Sequence, residues 1–199
     1  MKGSHLALCM LLGFSATVTA AGDPAAGQEK SAMCQGCHGP DGNSFSPEWP
    51  SLAGQVPSYL SKQLRDYQSG ARKDETMASM VEGLSEEDIA DIVAYFSSQK
   101  AKAEEGEINS KGRKLYVGGN PYTNVPSCAS CHGPNAVGND PAGFPRLAGQ
   151  KAGYTSKALN DFRTGARTND VNGMMQGVAA KMSDKDIAAV SEYLATLDK

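Results

Sequence analysis

Behind Leu84 the chain sets Ile89, Ile92, Val93 and Phe96 among polar residues, and behind Met182 it sets Ile187, Val190, Leu194 and Leu197 in a similar rhythm. Steps of three and four place such residues on one helical face. Both stretches open on a serine followed three positions later by aspartate, Ser85 with Asp88 and Ser183 with Asp186. That spacing predicts a capping box, in which serine and carboxylate each satisfy an otherwise unpaired amide. A second pair of helices is predicted through Tyr59, Leu60, Gln63, Leu64 and Tyr67, and through Tyr154, Leu159 and Phe162. Shorter helices are expected at about 25–32 and 110–117; strand signal is weak, so the fold is expected to be all-α.

These elements come twice because the sequence does. Pro50-Ser51-Leu52-Ala53-Gly54-Gln55 returns as Pro145-Arg146-Leu147-Ala148-Gly149-Gln150, and Tyr59, Lys62, Leu64, Asp66, Gly70 and Arg72 return as Tyr154, Lys157, Leu159, Asp161, Gly165 and Arg167. The capped helices match at an offset three residues longer, so a small insertion lies between the two blocks. An internal duplication of this kind sets the domain count. The domains are expected at 21–100 and 110–199, joined by the charged linker 101–109. Halves of about 80 to 90 residues sit near the lower size at which one hydrophobic core suffices, and a covalently held apolar cofactor would relieve the shortage.

Residues 1–20 have the pattern of a secretory signal peptide, with Lys2, an apolar run from Leu6 to Phe14 and a small-residue site at Val18-Thr19-Ala20. Cleavage is expected near Ala20/Ala21, giving an exported protein; the alternative is an uncleaved anchor, for which the apolar run is short. Cys9 leaves with the signal, and the four cysteines that remain are Cys34, Cys37, Cys128 and Cys131.

All four lie in the heptapeptides CQGCHGP and CASCHGP, each a C-x-x-C-H motif. An exported chain with four cysteines suggests two disulfides by default, but a histidine follows each pair directly. Zinc wants four converging ligands, and two cysteines with one histidine leave each half one short. A thioredoxin-like pair wants βαβ surroundings, and these are helical. Covalent c-type haem, one per half, fits best: both thiols add to vinyl groups, and His38 or His132 turns its imidazole to the iron.

Twelve residues after His38 lies Pro50 and thirteen after His132 lies Pro145, each opening P-x-L-A-G-Q. With these motifs each half resembles the class I cytochromes c. The resemblance implies that the Pro50 and Pro145 carbonyls accept the Nδ1 proton of His38 and His132, a bond that orients the ring and raises its basicity. A role for the prolines as loop ends is compatible with this.

Without the signal, the chain has only His38 and His132, so a second histidine ligand is excluded unless another chain supplies it. Methionine is the remaining strong axial candidate. Met77 lies eight residues before Ser85 and Met175 eight before Ser183, whereas Met80, Met174 and Met182 align with Val178, Thr76 and Leu84. The symmetry selects Met77 and Met175 and leaves core packing to the others, although the tandem Met174-Met175 keeps a competing sulfur next to the second. Iron with all six positions filled suits one-electron exchange at a relatively high potential better than small-molecule catalysis.

The whole mature chain resembles the dihaem cytochrome c4 family, two tandem class I cytochrome c domains related by internal duplication. The resemblance implies a periplasmic one-electron carrier, not an enzyme, passing electrons from a bc1-type complex towards a terminal oxidase and sometimes attached peripherally to the membrane. A monomer without nucleic-acid partners is expected. The alternative is an electron-accepting subunit or a dihaem enzyme of thiosulfate dehydrogenase or peroxidase type.

Charge adds one asymmetry. Residues 21–110 carry 7 basic and 15 acidic side chains, net −8, and residues 111–199 carry 11 and 7, net +4. Such a dipole is either a solvated surface or a means of steering the basic half to an acidic partner. Arg72 and Arg167, with Tyr59 and Tyr154, are candidates for haem propionates or for the surface. Trp49, with no counterpart in the second half, is expected to pack inside.

Overall fold

A computed structural model describes residues 22–198, so the expected signal peptide lies outside the described residues. Ten helices are named here: α1 (Pro24–Lys30), α2 (Ala32–His38), α3 (Pro57–Gln68), α4 (Glu75–Val81) and α5 (Glu86–Ser98), then α6 (Ser110–Gly118), α7 (Ala129–His132), α8 (Ala152–Thr164), α9 (Met174–Ala179) and α10 (Asp184–Ala195). The fold is all-α, as expected; among the described residues β pairing is confined to the isolated bridges Asn120–Val125 and Asn139–Phe144.

Both capping boxes form. Ser85 accepts from the Asp88 amide at 3.1 Å while Asp88 accepts from the Ser85 amide at 3.0 Å, and Ser183 and Asp186 repeat the exchange. The faces behind them are buried: Ile89, Ile92, Val93 and Phe96 in one core, Ile187, Val190 and Leu194 in the other. Leu197 falls beyond the end of α10 and packs partly buried against its core.

The first helix of each half crosses the last at backbone contact, and a glycine permits it. A Cβ on Gly27 would lie 1.9 Å from the Asp91 carbonyl oxygen, and one on Gly112 would lie 1.9 Å from that of Ala189. Tyrosines then fasten the loops behind the cysteine motifs, from different helices in the two halves. Tyr95 of α5 donates to the Pro40 carbonyl at 2.6 Å, and Tyr116 of α6 donates to that of Gly133 at 2.5 Å.

Several expectations are corrected. The helix expected over 25–32 stops at Lys30, where the fully buried Ser31 interrupts it and α2 begins separately. Periodicity did not disclose α2, α4, α7 or α9, because helices of four to seven residues are too short to show a face. Trp49 is 47 % exposed instead of packed, and of the three methionines assigned to packing only Met182 is buried. The three-residue insertion takes the form of the turn Val171–Gly173, in which Asn172 and Gly173 both have left-handed φ.

Residues 101–109 are tied to both halves near their start. Ala101 is buried, the Lys102 amide donates to Asn43 Oδ1 at 2.8 Å, and the Glu104 amide donates to the Ala195 carbonyl at 2.8 Å.

Candidate haem sites and the interface between them

In each half a short helix ends on the motif histidine. Cys34, Cys37 and His38 lie on α2; Cys128 caps α7, which carries Cys131 and His132. The chain reverses immediately afterwards at Gly39 (φ +85°) and Gly133 (φ +82°), where a side chain would be strained. At Gly39 a Cβ would also meet the Asn43 carbonyl oxygen at 2.3 Å.

The reversal brings each proline back over its histidine. His38 Nδ1 lies 2.8 Å from the Pro50 carbonyl oxygen and His132 Nδ1 lies 2.9 Å from that of Pro145. A carbonyl can only accept, so Nδ1 carries the proton and Nε2 presents a bare lone pair. Burial pushes both imidazoles below their ordinary value, against the upward pull of the proline carbonyl, so both rings are neutral near pH 7. No disulfide joins these four cysteines, which leaves their sulfurs open to thioether formation; burial pushes the Cys34 thiol up and that of Cys128 up to about 11.

This donor set suits a covalent haem. Two thiols one helical turn apart can both add to the ring edge, and the next side chain offers an oriented neutral nitrogen. Among the described residues no group of three or more His, Cys, Asp or Glu side chains converges as a zinc site would require.

Met77 and Met175 occupy corresponding places, on α4 and α9. Asp74 caps α4 by accepting from the Met77 amide at 3.0 Å, and Asp170 holds the start of α9 through the Gln176 amide at 3.0 Å. Both methionines are half-buried, while Met80 and the neighbouring Met174 are exposed, Met174 by 44 %.

The interface between the halves holds residues whose roles the sequence did not disclose. Gln55 donates to the Arg146 carbonyl at 2.9 Å and accepts from the Arg146 amide at 2.7 Å; Gln150 does the same to Ser51, at 2.9 and 2.8 Å. Glutamine at the end of both P-x-L-A-G-Q copies was the available signal, and its crossing to the other half was not readable.

Arg72 and Arg167 lie at this interface as well. Arg72 donates to Gln63 Oε1 at 2.9 Å and to the Tyr154 hydroxyl at 3.0 Å. Arg167, which is buried, donates to the same Gln63 oxygen at 2.9 Å and to the Tyr59 hydroxyl at 3.1 Å. Burial pushes the Tyr154 phenol up, but the two guanidiniums beside it bring it below its usual value. The tyrosines thus serve the arginine of the opposite half, a pairing the sequence left between propionate contact and surface exposure.

The model of the cytochrome c family matches residues 24–100 and 110–198. Cytochrome c4 of Azotobacter vinelandii is 47 % identical over 206 residues, covering 98 % of each chain. A thiosulfate dehydrogenase electron acceptor of Stutzerimonas stutzeri is 37 % identical over 180 residues, covering 86 % of this chain and 82 % of its own. The crystal structure of reduced recombinant cytochrome c4 from Pseudomonas stutzeri superposes with a TM-score of 0.85 at 50 % identity, covering 89 % of this chain and all of that one. Two C-x-x-C-H helices with carbonyl-oriented histidines, in a duplicated all-α chain with these relatives, have one meaning: the chain belongs to the dihaem cytochrome c4 family, electron carriers with a covalent haem c in each of two cytochrome c domains.

Proposed function

We propose that the chain is a periplasmic one-electron carrier and not itself an enzyme, taking electrons from a bc1-type complex and passing them towards a terminal oxidase. In this reading the segment 1–20 is removed on export, near Ala20/Ala21, and 21–100 and 110–199 are the two domains. Cys34, Cys37, Cys128 and Cys131 would hold the haems covalently, and His38 with Met77, and His132 with Met175, would ligate the iron in the two domains. Pro50 and Pro145 orient the histidines.

The observation that carries the reading is the equivalence of the two sites. Each half has a neutral, oriented imidazole and a half-buried methionine on the short helix before the capped one. A haem bound there supplies reversible one-electron chemistry. The chain's part would be to supply a histidine and a methionine to each iron and to keep both side chains fixed so that little rearranges. The membrane association this reading allows is peripheral; among the described residues no helix is long and apolar enough to cross a membrane.

The kinship with a thiosulfate dehydrogenase electron acceptor favours one second reading, in which the donor is a sulfur-compound dehydrogenase. Mixing the holoprotein with membranes separates the two. Reduction through a bc1-type complex and reoxidation by an oxidase, both slowed by salt, are expected. Reduction by a thiosulfate dehydrogenase alone would replace the first reading with the second.

A further inference from the structure

The carbonyl of Pro50 and the amide of Ser51 belong to one peptide group. Its oxygen lies 2.8 Å from His38 Nδ1, and its N–H donates to Gln150 Oε1 of the other half at 2.8 Å. The second half mirrors this. The peptide joining Pro145 to Arg146 accepts from His132 Nδ1 at 2.9 Å and donates to Gln55 Oε1 at 2.7 Å.

A peptide whose N–H is engaged by a good acceptor is polarised, and its oxygen becomes a stronger acceptor in turn; hydrogen bonds in such chains strengthen one another by about 10–30 % each. The glutamines are well placed for this. Gln55, Gln150 and Ser51 are all buried, and each glutamine oxygen is also held by the next backbone amide of its own half, Val56 at 2.9 Å and Lys151 at 3.0 Å. The left-handed glycines before them, Gly54 (φ +62°) and Gly149 (φ +72°), turn the chain so that the side chains face across.

We propose that Gln55 and Gln150 are positioning residues that set each haem's reduction potential from the opposite domain, through the proline peptide that holds the proximal histidine. This rests on ligation by His38 and His132 as given above. A stronger Nδ1–H···O bond gives the ring more imidazolate character, makes Nε2 a better donor and favours ferric iron. Each glutamine therefore lowers the potential of the haem it does not share a domain with.

The test is a redox titration of the holoprotein followed by proton NMR, which reports each haem separately. Gln150→Leu removes the acceptor, so the N-terminal haem should become about threefold more reduced at its former midpoint, a rise of about 30 mV at 59 mV per tenfold, while the C-terminal haem stays in place. Gln55→Leu should give the mirror image. Gln150→Glu keeps an oxygen for the Ser51 amide and should leave the N-terminal potential at or below its original value; it carries the test if the leucine variant parts the domains. The His38 Nδ1 proton resonance of the ferrous protein should move upfield in Gln150→Leu only. Unmoved potentials, shifts in the variant's own domain, or equal shifts from leucine and glutamate would overturn the proposal. Absence of an iron-shifted imidazole signal in the unmodified protein would instead overturn the histidine ligation on which it rests.

Discussion

Arg72 Nη2 donates to the Tyr154 hydroxyl at 3.0 Å, from one half of the molecule to the other. Tyr154→Phe deletes the acceptor and leaves a part-buried guanidinium donor unsatisfied, at a cost of about 1.5–3 kcal/mol for a bond to a charged group. The reciprocal Tyr59→Phe is expected to cost less, because the same Arg167 Nη2 also donates to Gln63 and its Nε to Asn169 Oδ1, whereas Arg72 reaches Gln63 through Nη1. Urea unfolding of the two holoproteins gives the comparison; no loss in Tyr154→Phe would mean that its crossed bond carries no weight, and equal losses would remove the asymmetry between the two.

Gly112→Ala should be among the most damaging single changes in the chain. Its methyl would stand 1.9 Å from the Ala189 carbonyl oxygen, in backbone that cannot yield as a side chain can. The loss should reach about 3 kcal/mol or more, read as a fall in melting temperature. Gly118→Ala, whose methyl meets nothing within 4 Å, is the control and should be nearly silent.

The tandem methionines can be told apart by spectroscopy. Met175→Leu should halve the sulfur-to-iron absorption at the red end of the visible spectrum and lower one potential, since thioether ligation favours ferrous iron. Met174→Leu, altering a side chain that is 44 % exposed, should leave both intact. The reverse result would move the ligand by one residue.

Acid should weaken the helix starts first. The Lys30 ammonium, then the Ser85 hydroxyl, hold Asp88 well below the usual carboxylate range; Lys30 also lowers Asp91, and the Ser183 hydroxyl lowers Asp186. A carboxylate whose folded pKa is depressed binds fewer protons folded than unfolded, so stability rises with pH across the interval between the two values. Its contribution is fully present above the unfolded value of about 3.9 and is lost as pH falls towards the folded one. Calorimetry from pH 5 to pH 2 should show a steep decline in melting temperature, and Asp88→Asn should flatten it; an unchanged slope would exclude Asp88 from the effect.

Much of each candidate site was legible because the duplication supplied an internal control. Met77 and Met175 stood out as the pair kept at equal distance from a capping serine, and Ser85 and Ser183 themselves carried a local signal that packing did not override. What depends on the two halves meeting was not legible. Gln55 and Gln150 look alike whether they turn inward or across, and nothing in a periodic pattern says which half will face Tyr154. Trp49 was misread for a related reason: an aromatic residue without a repeat partner has no alignment to place it, and its hydrophobicity alone pointed the wrong way.

The segment 101–109 has a mechanical consequence. Because Lys102 is bonded to Asn43 and Glu104 to Ala195, the chain between the halves acts as a strut and not as a tether. Cutting the backbone between Gly106 and Ile108 would then leave two pieces still bound as one particle. In the proposed function, an electron crossing between the halves would then meet a gap held by these bonds and not set by the partner that delivers it.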